Sequence, residues 1–494
     1  MKKTAFDNDH YLKIQREEIN KRIKTFGDKL YLEFGGKLFD DYHASRVLPG
    51  FKPDSKLKML LTLKEKIEVV IVINSCDIQK NKIRSDLNIN YESEVLRLID
   101  AFRASELYVG SVCIAQYQAV PQVESFKQKL NNLGIKTYLH YHIDGYPHDI
   151  NKIISEDCFG KNEYIETTRP IVVVTAPGPG SGKMATCLSQ LYHENKKGVK
   201  AGYAKYETFP VWNLPLKHPI NLAYESATAD LNDVNMIDPY HYDAYQELTV
   251  NYNRDVEIFP VLKAIFEAIY GESPYKSPTD MGVNMVGFAI SDEEVAIKAS
   301  KDEIIRRYLN SLVDLRNGKI NQESVDKIAL IMRQLEITTD NRKCVKSALN
   351  KAEESHTISM AMELEDGFIV DAKTSDLLSA PAALILNALK HLAKINDEML
   401  LISPSIIEPI SKMKVKNLGN HNPRIHVGEI LIALAISART NPLAELAMKK
   451  LDKLAHSQAH STAIMHQEDA SVFKKLKIDI TSEPIAHARK LYVK

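Results

Sequence analysis

Cysteine, net charge and long apolar runs are all scarce in this chain, and each scarcity excludes something. Five cysteines in 494 residues stand far apart, at positions 76, 113, 158, 187 and 344. Their odd number and the lack of any Cys-x-x-Cys pair argue against a disulfide framework or a cysteine zinc site, and they fit a reducing cytoplasm. Lysine plus arginine equals aspartate plus glutamate at 64 each, a formal net charge of zero. No global field therefore holds the chain on nucleic acid or on an anionic bilayer. No apolar run approaches the roughly 18 residues of a membrane span. The opening MKKTAFDNDHYLKIQREE has two lysines with no apolar stretch behind them, so neither export nor anchoring is expected. What is abundant is apolar content, 44% of the residues, enough to fill two or three cores.

Residues 5 to 26 read as an amphipathic helix. KLYLEFGGKLF then alternates apolar and polar around Gly35-Gly36, the pattern of a two-residue hairpin delivering Asp40, Asp41, His43 and Arg46. From Glu68 the period changes. VVIVI, YVGSVCIAQY, IKTYLHYHI, IVVVTA and VKAGYAKYE are apolar strands separated by amphipathic helices, the signature of a mostly parallel sheet covered on both faces. The segment 209–253, rich in Pro, Asn, Asp and Tyr, reads as a long irregular connection with one helix. GESPYKSPTDMG (271–282) has the composition of a boundary. The expected architecture is multi-domain α/β, mostly parallel, with a P-loop-like strand-turn-helix, a helical middle segment and a second α/β unit. Its divisions are an α/β domain over 1–272, a helical segment over 283–345 and a C-terminal α/β domain over 346–494. A hairpin is expected at Glu365-Asp366-Gly367.

The most suggestive stretch is IVVVTAPGPGSGKMATCLSQL, residues 171–191. A phosphate-binding Walker loop joins a strand to a helix through Gly, four residues, Gly-Lys and Ser or Thr, so that amides and lysine converge on a polyphosphate. Here the context is right and both ends of the pattern are broken. Pro177 replaces the opening glycine, Pro179 removes an amide donor, and Met184 cannot supply the hydroxyl that ligates magnesium. Thr186 lies two residues on, toward the opposite helix face. Turn geometry alone would explain the glycines and prolines. Against that stands Lys183, a cation at the positive end of a helix dipole, which costs roughly 0.3 to 1 kcal/mol unless an anion reverses the sign. The anion-binding set is Gly178, Gly180, Ser181, Gly182, Lys183 and Met184, with the Ser181 hydroxyl as a further donor. The expected ligand is a small-molecule anion such as phosphate or a nucleotide, and magnesium is disfavoured. Cys187, one turn along, reads as a buried helix-sheet contact.

TTRPIVVVTAPGPGSGKMATCLSQLYHE, YLEFGGKLFDDYHASRVLPGF and TADLNDVNMIDPYHYDAY together resemble a bacterial family of unknown function whose members match this chain in length. The resemblance covers essentially the whole chain. It implies a bacterial, cytoplasmic, multi-domain protein and brings no reaction with it.

Other groups offer chemistry. Asp230 and Asp233, with Asp238, Glu225 and Glu207 near in sequence, suit a general base or a magnesium carboxylate, and equally turns and caps. Asp41, His43 and Arg46 suit acid-base work and anion clamping, or a surface ion-pair cluster. The catalytic candidates are Asp230, Asp233, His43 and Arg46. In LHYHIDGYPHD, His140 and His142 share a strand face near its end, with Asp144 and His148 behind, a spacing able to hold a metal or to form an exposed rim. His456 and His460 are i, i+4, a spacing that can share a metal on a helix, but they lack the Glu of a His-Glu-x-x-His site and read as solvated histidines. Three functions stay open: an enzyme acting on a phosphorylated small molecule or nucleotide, a non-catalytic anion sensor or assembly protein, and a metal-dependent hydrolase built on His140 and His142. The sequence also leaves a homo-oligomer open.

Overall fold

In the computed structural model, which describes residues 3–27, 29–36, 38–84, 87 and 89–486, the chain forms two compact units. One comprises 4–225 and 232–300, and the other is built chiefly of 226–231 and the residues from 301 onward.

The first unit begins with α1 (Asn8–Thr25), capped by the Asp7 carboxylate on the His10 amide. Then come β1 (Leu30–Phe34), β2 (Ile67–Asn74), α2 (Tyr91–Ala104), β3 (Tyr108–Ala115), α3 (Pro121–Asn132), β4 (Lys136–Leu139), β5 (Ile171–Thr175), α4 (Lys183–Lys196) and β6 (Gly202–Tyr206). They are followed by α5 (Pro219–Ala227), β7 (Asn235–Ile237), α6 (Pro239–Tyr245), β8 (Val250–Tyr252), α7 (Asn253–Tyr270) and β9 (Gly282–Val283). Seven strands form one sheet in the order β9-β6-β1-β5-β2-β3-β4, and every pairing in it is parallel. All residues of β1, β2, β5 and β6 are buried. Of these, β2 and β5 read as Val/Ile runs because both faces are covered, each buried Val or Ile contributing about 1.5–3 kcal/mol.

This corrects two sequence expectations. Gly35-Gly36 does not turn a hairpin: β1 is hydrogen-bonded on both edges to parallel neighbours, and the Gly35 amide continues that pairing onto the Tyr206 carbonyl. The 209–253 connection holds two helices, α5 and α6, and an antiparallel pair, β7 with β8, rather than a single helix. The segment 271–282 belongs to the first unit, carries the buried Tyr275 and ends in β9.

The strand order fixes where a ligand can sit. The chain leaves β6 toward β9 but leaves β1 toward β2, and it leaves β5 toward β6 but leaves β2 toward β3. Crevices therefore open at the carboxyl ends of the β6/β1 and β5/β2 pairs, the switch points at which open α/β sheets bind ligands.

The second unit carries a sheet in which Ser359–Glu363 pairs antiparallel with Ile369–Lys373 and with Gln458–Ser461, and the last pairs parallel with Asp479–Ser482. The Glu365-Asp366-Gly367 turn is the tip of its hairpin. Leu384, Ile385 and Leu389 from the helix Ala380–Ala393 pack with Ile430, Leu434 and Phe473 in its core.

Candidate functional site

β5 delivers the glycine-rich loop to the β5/β2 crevice. Gly180 and Gly182 adopt φ of 74° and 94°, where a Cβ is strained, and Gly182 is the N-cap of α4. The amides of Gly180, Ser181, Gly182, Lys183, Met184 and Ala185 donate to no acceptor among the described residues, and Thr186 is the first to enter the helix, bonding the Gly182 carbonyl. The Ser181 side chain is wholly buried and its hydroxyl donates to the Gly178 carbonyl at 2.8 Å. It staples the loop and is not the further ligand donor that the sequence suggested. Asn74 Nδ2, at the end of β2, donates to the Gly180 carbonyl at 3.4 Å, and Tyr91 packs against Gly178. Thr186 is buried, with its hydroxyl 3.8 Å from Cys113 Sγ, so it faces the sheet rather than the loop. Cys187 is buried too, and burial, with Glu33 nearby, pushes its thiol well up.

Lys183 leads to a second, larger cluster that sequence reasoning missed. Its Nζ stands 3.9 Å from Glu33 Oε1 on β1, and Glu33 Oε2 accepts from the Tyr203 hydroxyl at 2.8 Å. Glu33 is in register with Lys205 on β6, so both project from the same face of the sheet. Buried Lys205 donates to Asp255 and to the Tyr252 hydroxyl and pairs with Glu207 Oε1 at 2.9 Å, while Tyr252 donates to Glu207 Oε1 at 2.8 Å. Burial alone would lower the Lys205 pKa, but Asp255 and Glu207 reverse the sign and hold it well above the usual lysine value. Glu207 is displaced upward by burial and by Asp255, against the opposing pull of Lys205. A group of buried, mutually perturbed acids and bases at the carboxyl ends of parallel strands is where active sites concentrate.

The predicted candidates divide. Asp233 is buried and chelated by Arg254 at 2.6 Å; burial raises its carboxyl in spite of that cation. Tyr224, pushed up first by burial, also lies in the field of Asp233, Glu207 and Lys205. The His43 ring lies 5.3 Å from Phe209 and 6.1 Å from Tyr224, so His43 and Asp233 border the Lys205 cluster through Tyr224. Asp41 caps the helix Tyr42–Val47 and pairs with buried Lys56 at 2.9 Å, and Arg46 sits in that helix's last turn. Asp230 is exposed on the turn Ala229–Leu231, which groups with the second unit. Asp238 caps α6 and accepts from the Thr279 hydroxyl at 2.6 Å, a structural duty.

His140 and His142 lie beyond the end of β4 and part company. His140 is buried, with Nε2 3.1 Å from the Glu163 carbonyl, and burial lowers its pKa to about 4; His142 is exposed, 3.8 Å from Asp144. Nor do His456 and His460 share a helix, because His460 is a buried strand residue bonded to Thr481 at 2.9 Å. Among the described residues no three His, Cys, Asp or Glu side chains are grouped to hold a metal, and no helix is long and apolar enough to cross a membrane.

The signal for the missed cluster was in the sequence: Glu33 and Lys205 are single charges inside otherwise apolar or aromatic strands, LYLEF and GYAKY. Charges are almost never buried on both faces of a sheet unless paired.

Comparison with known proteins agrees with the long motifs. UPF0371 proteins of Streptococcus pyogenes serotype M5 (strain Manfredo) and of Streptococcus thermophilus (strain CNRZ 1066) are each 55% identical over 494 residues, covering 100% of both chains. The family descriptions that match are "Domain of unknown function DUF1846, N-terminal" over residues 4–336 and its C-terminal counterpart over 340–492. The chain belongs to the DUF1846 family, a bacterial family of uncharacterised function.

Proposed function

We propose that this protein binds a phosphate-bearing small molecule on the 180–185 loop and acts on it with the neighbouring Lys205 cluster. One observation carries the reading: six consecutive amides, Gly180 to Ala185, have no acceptor among the described residues at the amino end of a 14-residue helix beside a sheet switch point. Such an array favours an oxyanion through its hydrogen bonds and through the helix dipole. The buried ionisable groups next to it favour an enzyme over a passive sensor, since Glu207 is a proton-carrying candidate and Lys205 a fixed positive charge.

The test is thermal unfolding with phosphate or sulfate. Either anion is expected to raise the melting temperature of the native protein and to raise that of Lys183→Ala much less, because binding to the folded state alone adds stability. Equal shifts in both proteins overturn the reading.

A further inference from the structure

Glu207 and Trp212 meet at one glycine, and each carries a polar atom with no hydrogen-bond partner among the described residues. A Cβ built on Gly282 would lie 2.6 and 2.7 Å from Trp212 Cζ2 and Cη2 and 3.5 Å from Glu207 Oε2. The edge of the indole thus rests on Gly282 with the carboxyl beside it. Trp212 Nε1 is buried and donates to no acceptor among the described residues. Glu207 is 5% exposed; its Oε1 is held by Lys205 and Tyr252, whereas its Oε2 takes no hydrogen bond among the described residues. A buried donor left without a partner is rare in folded proteins and calls for an explanation.

An indole N–H offers only a donor, and a carboxyl oxygen chiefly an acceptor. The group that answers both is a hydroxyl, which accepts and donates at once. The distance to the loop suits such a ligand. Lys183 is 3.9 Å from Glu33, Glu33 faces Lys205 across adjacent strands, and Lys205 is 2.9 Å from Glu207. At an inter-strand spacing of about 4.8 Å this places Glu207 on the order of 10 Å from the loop, the reach of a short phosphorylated polyol.

We propose that Glu207 and Trp212 form the hydroxyl-binding end of the site, and that its ligand is a phosphate monoester of a polyol, the sugar phosphates included. The proposal rests on the phosphate reading of the loop and adds the substrate class.

Calorimetric titration of the full chain with inorganic phosphate, glycerol 3-phosphate, ribose 5-phosphate and glucose 6-phosphate tests it. At least one polyol phosphate is expected to bind about tenfold more tightly than inorganic phosphate and to change the emission of Trp212, the single tryptophan. Glu207→Gln and Trp212→Phe, each verified as folded by thermal unfolding, are expected to remove about fivefold or more of that gain while inorganic phosphate affinity stays within about twofold. Polyol phosphates no tighter than inorganic phosphate, or a gain that survives both variants, overturn the proposal. In that outcome phosphate binding sensitive to Lys183→Ala still stands for the loop. If inorganic phosphate binding is absent or indifferent to Lys183→Ala, the loop reading falls and this proposal with it.

Discussion

The Lys183 ammonium stands 3.9 Å from the Glu33 carboxylate, inside the first unit and largely screened from solvent. Glu33 thereby relieves the conflict between a cation and the positive end of its own helix, and a bound anion has to compete with it for the lysine. Glu33→Gln keeps an acceptor for the Tyr203 hydroxyl and removes the competing charge. Phosphate affinity should rise by about fivefold, roughly 1 kcal/mol. Calorimetry measures this, and weaker binding in the variant would instead make Glu33 the group that aims Lys183 at its ligand.

Lys205 is the cation on which Glu207 and Asp255 both depend. Lys205→Met leaves two buried carboxyls facing each other, and breaking a buried pair in this way typically costs about 3–5 kcal/mol. Urea unfolding followed by Trp212 emission reports on the unit concerned. Adding Asp255→Asn to Lys205→Met should restore part of the loss, because the uncompensated charge is then removed. A double variant as unstable as the single one would show that the lysine stem's packing, not its charge, matters.

These two residues also mark where sequence reading stopped. The β5-loop-α4 unit was legible because an apolar run, a Gly-Pro turn and an amphipathic helix are local patterns. The Lys205 cluster was not, since Tyr252 at the end of β8 and Asp255 in the first turn of α7 lie 47 and 50 residues beyond Lys205, and only the fold joins them. Gly35-Gly36 misled for a related reason. A five-residue strand buried on both faces looks locally like one arm of a hairpin, and its true partners, β5 and β6, lie far along the chain. His140 and His142 share a spacing, but the strand ends at Leu139, so the alternation that would have put them on one face no longer applies.

His140 gives a pH dependence with a definite sign. Its pKa falls from 6.5 to about 4 because burial disfavours the imidazolium. The unfolded chain therefore takes up a proton before the folded one does. Stability is intact above pH 6.5 and is lost as pH falls from there toward 4, by about 3 kcal/mol in total for this residue. His140→Gln retains a donor for the Glu163 carbonyl and does not titrate, so its melting temperature should fall less steeply than the wild type's across that window. Parallel pH profiles for the two proteins would place the acid sensitivity elsewhere.

Magnesium has no hydroxyl ligand on this loop. In a standard phosphate-binding loop the residue after the lysine ligates the metal through a hydroxyl; here it is Met184, whose thioether is a poor ligand for a hard cation. Thr186 cannot substitute, because its hydroxyl is buried beside Cys113, and Lys183 already has a carboxylate at 3.9 Å. The loop should hold phosphate without metal. Affinity for inorganic phosphate or for ADP should therefore change by less than about tenfold, roughly 1.4 kcal/mol, when magnesium is withdrawn with a chelator. Met184→Ser puts a hydroxyl at the expected position in the first turn of α4, and ADP binding by that variant should strengthen with added magnesium where the wild type's does not. A wild-type loss well beyond tenfold on chelation would mean that a carboxylate from elsewhere in the first unit, with Asp233 and Glu207 the first to examine, completes a metal site when the ligand binds.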